Sequence, residues 1–215
     1  MASEFPRSPK LLKGALVAYQ IPELLPTIIV FQYNPEQLTR SLQARTASGG
    51  ARGDAMRTDG PPEESITLKV EIDAADQLEA RDGIATAVGL HPVLAALEGL
   101  MYPAFPIVVA NQFLAAMGSA LILGEPAPLA LFVWGPARVL PVRVNSVSIT
   151  EKAFDTRLNP ILAEADLNLK VLTYRELEMT NPGYWVYMAS FAQKEVMATM
   201  NLVQGGSTIR GMLPL

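Results

Sequence analysis

The sequence contains no cysteine and a single histidine. The first absence removes disulfides, thiolate nucleophiles and cysteine-based metal sites together, and it fits a reducing compartment. The second leaves His91, standing before Pro92 at a helix start, as the sole imidazole. No nucleophile and no orienting carboxylate can be assigned to it, so it reads as a helix-terminus or surface histidine. Charge is scarce as well, at 18% of 215 residues, and a net charge of −4 gives no general reason to expect nucleic-acid binding. No Walker, dinucleotide-binding or GxSxG pattern occurs. The glycines of SGGARGD (48–54) are not followed by Gly-Lys-Ser/Thr, and the Arg52-Gly53-Asp54 tripeptide reads as loop composition. The acids Asp73, Asp76, Glu79 and Asp82 lack the alternation and central glycine of a calcium loop and read as a solvated loop. Catalytic, metal and cofactor sites are therefore not expected, and the chain does not read as an enzyme.

Long hydrophobic runs are few. The most membrane-like segment, IVVANQFLAAMGSALIL (107–123), carries Asn111, Gln112 and Ser119 and is bracketed by Pro103, Pro106 and Pro126. Its length is at the lower limit for a spanning helix, so it reads as a helix or strand pair buried against other protein, and a membrane span is not expected. The opening MASEFPRSPK has no apolar core behind its basic residues and does not read as a signal peptide.

What the chain does have is a hydrophobic half, enough for one domain with a sizeable core. Strand-like segments dominate it: GALVAYQ (14–20), TIIVFQY (27–33) and LTRSLQAR (38–45), then ESITLKVEID (64–73). In the last of these Ile66, Leu68, Val70 and Ile72 share one face. LHPVLAALEGLMYP (90–103) has a helical stripe that Pro103 stops. LALFVWG (129–135) and RVLPVRVNSVSITEKAF (138–154) read as a hairpin, and LAEADLNLKVLTY (162–174) as the last strand. GYWVYMASFAQKEVMATMNLV (183–203) reads as a C-terminal helix. The expected fold is mainly β with α, in the α+β class: an antiparallel barrel or sandwich carrying one packed helix plus the C-terminal helix. The division expected is a flexible N-terminus (1–9), a β-barrel domain (10–175) and a C-terminal helical extension (176–215).

Two groups of side chains suggest assembly. Arg40, Arg45, Arg52 and Arg57 gather on one strand and loop without aromatics, so a neighbouring acidic subunit suits them as well as or better than nucleic acid. In the last helix Trp185, Met188, Phe191 and Val196 spread over much of the circumference, as at a buried interface. The corner Phe31, Asn34, Pro35, Glu36 ends an apolar strand abruptly, since Pro35 cannot donate a ladder hydrogen bond and biases Asn34 away from helix. Ile28 to Tyr33 are expected to fill the barrel, and Arg40 and Arg45 to face a lumen or a neighbouring subunit.

The segments VFQYNPEQLTRSL (30–42), PPEESITLKVEIDA (61–74), LEGLMYP (97–103) and LALFVWGPARVLPVRVNSVSITEKAFDTRLNPILAEADLNLKVL (129–172) together resemble the tube-domain proteins of contractile injection systems. These are phage-tail-like particles that drive a rigid inner tube through a target envelope. The resemblance is nearest to the baseplate tube initiator, or tube–spike adaptor. It implies a tail-tube β-barrel, a hexameric ring made by joining sheets, and a hydrophilic lumen. The implied partners are the spike hub, the inner tube protein and baseplate wedge proteins, with assembly in the cytoplasm. The implied function is structural. Adaptor-type members commonly continue into a LysM-like module, whereas this chain after Tyr174 offers only the helix 183–203 and a short tail. The alternatives are the inner tube protein itself and, in a different class, a monomeric small β-barrel that binds a ligand or peptide in a closed pocket.

Overall fold

The fold is that of a computed structural model, which describes residues 13–19, 26–45, 58–118, 123–124 and 127–209, with side chains as far as Asn201. The expected flexible N-terminus (1–9), the Arg52-Gly53-Asp54 tripeptide, and the candidates Arg52 and Arg57 lie outside the described residues.

Seven strands form one antiparallel sheet: β1 (Ala15–Tyr19), β2 (Thr27–Val30), β3 (Leu38–Gln43), β4 (Glu63–Asp73), β5 (Leu129–Val133), β6 (Val139–Phe154) and β7 (Pro160–Val171). Their order across the sheet is β2-β1-β5-β6-β7-β4-β3. The α+β class expected from the sequence holds. Period-two patterning explains which face is inside: Ile66, Leu68, Val70 and Ile72 of β4, and Ala163, Ala165, Leu167, Leu169 and Val171 of β7, are all buried. They join Leu16, Phe132, Leu140 and Val142 in one core.

The order begins at β2 and ends at β3, and among the described residues no ladder joins these two edges. The sheet nevertheless folds over its core. After β2 the chain crosses to the far end of β4, where the Gln32 side-chain oxygen accepts a hydrogen bond from the Asp73 backbone N–H at 3.0 Å. Phe31 is buried on the way, and its N–H donates to the Gly14 carbonyl at 2.8 Å. Gly14 is required by close approach: a Cβ there would lie 2.7 Å from the Trp134 ring and 2.8 Å from that of Phe31. Ile28 to Tyr33 therefore do not all fill the barrel. Only Ile29 and Phe31 are buried, because β2 is an edge strand whose other face meets solvent.

Five helices complete the fold of the described residues. The acidic stretch expected as a loop (71–82) contains α1 (Ala75–Glu79) and is followed directly by α2 (Gly83–Val88). Asp73 and Asp82 act there as local caps. The Asp73 carboxylate accepts from the Ala75 N–H, and that of Asp82 accepts from the Ile84 and Ala85 N–H groups. The helix expected over 90–103 is α3 (His91–Gly99), and it seats Leu90, Leu94, Leu97 and Leu100 in the core. The chain bends at Tyr102–Ala104 and starts again as α4 (Phe105–Ala116), of which no residue is buried. The apolar segment 107–123 was expected as buried against other protein; in its described part, α4 is not buried in this chain's own core. The C-terminal helix, α5 (Pro182–Ile209), begins where Pro182 follows Asn181, whose side chain accepts from the Gly183 N–H at 2.8 Å.

Gly89 ends α2 at φ 58° and ψ −135°, a region open essentially to glycine, and a Cβ there would meet the Pro160 carbonyl oxygen at 2.4 Å. The close approach lets the Leu90 N–H donate to that same carbonyl at 2.8 Å, docking α3 on the start of β7. Gly89→Ala is expected to cost about 2 kcal/mol, from strained backbone plus this clash, read as a lower urea midpoint at unchanged slope. A midpoint equal to wild type would contradict this docking.

Candidate functional site: the assembly surfaces

The two sheet edges differ from ordinary protected ones. In β2 Ile28 and Val30 are 60% and 54% exposed while Ile29 between them is buried. The strand is apolar on both faces and holds no charge, proline or bulge, so its unpaired backbone lacks the usual guards against pairing with another chain. On the opposite edge β3 exposes Leu42. The Phe31–Glu36 corner lies between these edges in the chain. The Asn34 side-chain oxygen accepts from the Gly14 N–H at 3.0 Å, which ties the corner to the start of β1. Pro35 and Glu36 line a groove of about 510 Å3, open to solvent, with Lys69, Glu71 and Glu164. The corner is a structural junction of β1, β2 and β4.

Of the basic candidates, Arg40 and Arg45 are engaged within the chain. Arg40 donates through Nε and Nη2 to Glu64 Oε1 at 2.8 and 2.5 Å, and Lys194 of α5 donates to Glu64 Oε2 at 2.9 Å. Glu64 is 4% exposed, so this triad ties the β3 edge and α5 to the start of β4. Burial pushes the Glu64 carboxyl up, but the hydrogen bonds and charges of Lys194 and Arg40 outweigh it and hold the group below its ordinary value. Arg45 pairs with Glu63 at 2.7 Å in the open. Arg40 thus clamps the β3 edge to β4. Glu64 and Lys194 were missed in the sequence, although Glu64 has the in-facing parity of Ile66 and Leu68.

The outward face of β4, β7 and β6 is mostly polar, with Leu162 and Phe154 as apolar exceptions at one end. Lys69 and Lys152 both hold Glu164, the first at 2.6 Å, across three strands. Those two lysines draw the Glu164 carboxyl down, Lys152 most strongly through its hydrogen bond. Beside them Thr67, Asn168 and Ser146 stand in register, and Lys170 is paired to Glu176 at 2.6 Å. This ribbon has cations and anions interleaved, which keeps a broad face wet without making it strongly charged.

The helical candidates divide. Met188 is half-buried against the core and belongs to the domain, whereas Trp185, Phe191 and Val196 are exposed. Phe191 stacks on Tyr187 with ring centres 6.5 Å apart and shares an open groove of about 560 Å3 with Pro61, Pro62 and Lys194. His91 is exposed at the first turn of α3. Among the described residues no group of three or more His, Asp or Glu is placed to hold a metal. Among them, too, no helix is long and apolar enough to cross a membrane. Compared with known proteins, the chain matches no family model and no curated protein.

Proposed function

We propose that the chain is a non-enzymatic structural subunit that joins copies of itself sheet edge to sheet edge. On this reading six copies close a tube-initiating ring in the baseplate of a contractile injection particle, between the spike hub and the inner tube. The observation that carries it is the pair of edges left unpaired among the described residues, β2 with Ile28 and Val30 exposed and β3 with Leu42 exposed. A strand this apolar is an aggregation site in a monomer and a docking strand in an assembly. Two different edges make a head-to-tail contact, and such contacts close into rings when the rotation permits. The polar ribbon of β4, β7 and β6 suits a hydrophilic lumen. Assembly takes place in the cytoplasm before incorporation into the particle.

The test is electron microscopy of purified particles that contain the chain. One ring of six copies beside the spike supports the reading, and single separate copies contradict it. Many stacked rings per particle would assign the chain to the inner tube itself.

A further inference from the structure

Two helices carry apolar ridges that the described residues leave open. On α4 the residues Phe105, Val109, Phe113 and Met117 recur every fourth position and so form one continuous ridge, and all four are exposed. On α5 the residues Trp185, Ala189, Ala192, Val196 and Met200 fall within an arc of about 80° at 100° per residue. All five are exposed, while Tyr187, Ser190 and Lys194 turn toward the domain. We infer that these ridges are the two halves of one contact between copies, in which α4 of one copy packs across α5 of the next.

Shape, charge, position and area together select a second copy as the occupant. The α4 ridge is made of large projecting groups, and Ala189 and Ala192 leave hollows on α5 that such groups fill. Two α4 helices facing each other would set phenyl against phenyl with no hollow between. Residues 99–124 contain no charged side chain, and the α5 ridge contains none, so each surface matches the other without leaving an ion unpaired. The helices also dock at opposite ends of β4: α5 at Glu64, and α3, from which α4 continues, beside Asp73 and Pro160. Those ends are roughly 30 Å apart along the strand. One chain cannot readily cover its own two ridges, whereas a copy displaced along the strand direction can. Phe105 and Phe113 are 78% and 65% exposed. At about 200 Å2 each they leave roughly 300 Å2 of ring surface uncovered. The aliphatic and methionine neighbours, with the α5 side, bring the total near the roughly 1,000 Å2 that a specific interface needs. The α4 ridge is a pure i+4 row, whereas the α5 ridge steps by four, three, four and four residues. The contact is head-to-tail, and such contacts close into a ring when the rotation permits, so it serves the single ring proposed above. It deepens the proposed assembly and rests on that reading for its direction relative to the ring.

The absence of cysteine makes the test direct. Phe113→Cys and Val196→Cys are made as separate chains, one tagged, and mixed at low micromolar concentration under mild oxidation. The expected product is the mixed disulfide, at least tenfold over either like-with-like product. Met117→Cys with Ala192→Cys repeats the test along the same ridges and is expected to give the same product. A statistical mixture, a product from Phe113→Cys alone, one from Val196→Cys alone, or no disulfide in either pair would overturn the contact. So would flotation of the wild-type chain with phosphatidylcholine vesicles, which would make α4 a lipid-binding helix. The mass of the reduced sample reports ring closure separately. Rings without the mixed disulfide overturn only the helix contact, and the mixed disulfide without rings overturns only the ring.

Discussion

Arg40→Met is expected to lower the unfolding free energy by about 3 kcal/mol at neutral pH, a larger loss than any exposed charge in this chain should give. The reason is what the substitution leaves behind. Glu64 is 4% exposed and takes both Arg40 hydrogen bonds on one oxygen. Removing one partner of a buried ion pair costs about 3–5 kcal/mol because the remaining charge stays desolvated. Lys194 still serves the other oxygen, which places the loss at the lower end. The melting temperature should fall by roughly 6–12 °C for a chain of this size. The variant Arg40→Met/Glu64→Leu/Lys194→Met, which removes the triad as a whole, should return to within about 1 kcal/mol of wild type, since apolar replacements of buried ion groups are often neutral. Urea denaturation of the three proteins decides it. A single substitution that costs no more than the triple one would show the carboxylate to be hydrated after all.

The same triad sets a pH dependence. Glu64 has a depressed pKa in the folded chain, so the stability it contributes is present above its ordinary value of 4.5 and is lost as pH falls through the lower folded value. Arg40→Met weakens the depression and moves that loss to higher pH. The gap between wild type and variant should therefore be widest near neutrality and shrink in acid, where Glu64 is protonated in both.

Val30→Lys is expected to abolish assembly and leave the fold intact. Val30 is more than half exposed in the single chain, so lysine there should change folding stability by less than about 0.5 kcal/mol. In a dry strand-to-strand contact the ammonium has no partner, and an uncompensated charge of that kind costs several kcal/mol per interface. The association constant should fall by roughly a thousandfold or more, since each 1.4 kcal/mol is tenfold. Ala80→Lys, the same charge change at the end of α1, is the control and should assemble as wild type does. Equal assembly by both variants would remove β2 from the contact.

How much of this was legible beforehand follows from which signals are local. β4 and β7 are read correctly because period two needs no tertiary information, and Asn181-Pro182 marks the start of α5 for the same reason. The short helices α1 and α2 were hidden in a polar stretch because each is only one or two turns long, held by a tertiary dock at Pro160 and the Asp82 cap. The ion pairs of Arg40 are not legible in the sequence because its partners are distant: Glu64 lies 24 residues away and Lys194 is a further 130 beyond Glu64. A basic residue on a strand looks like free surface until the acid beneath it is located. The edge character of β2 was hidden similarly, since TIIV has the composition of an inner strand and only the sheet order reveals that one of its sides is unpaired.

Native mass spectrometry of the full chain across a concentration series, with Val30→Lys beside it, tests edge-to-edge assembly most directly. A discrete species of six chains in the wild type, absent from the variant, is the predicted result. A wild type that stays a single chain throughout, with its fold intact, would contradict the account.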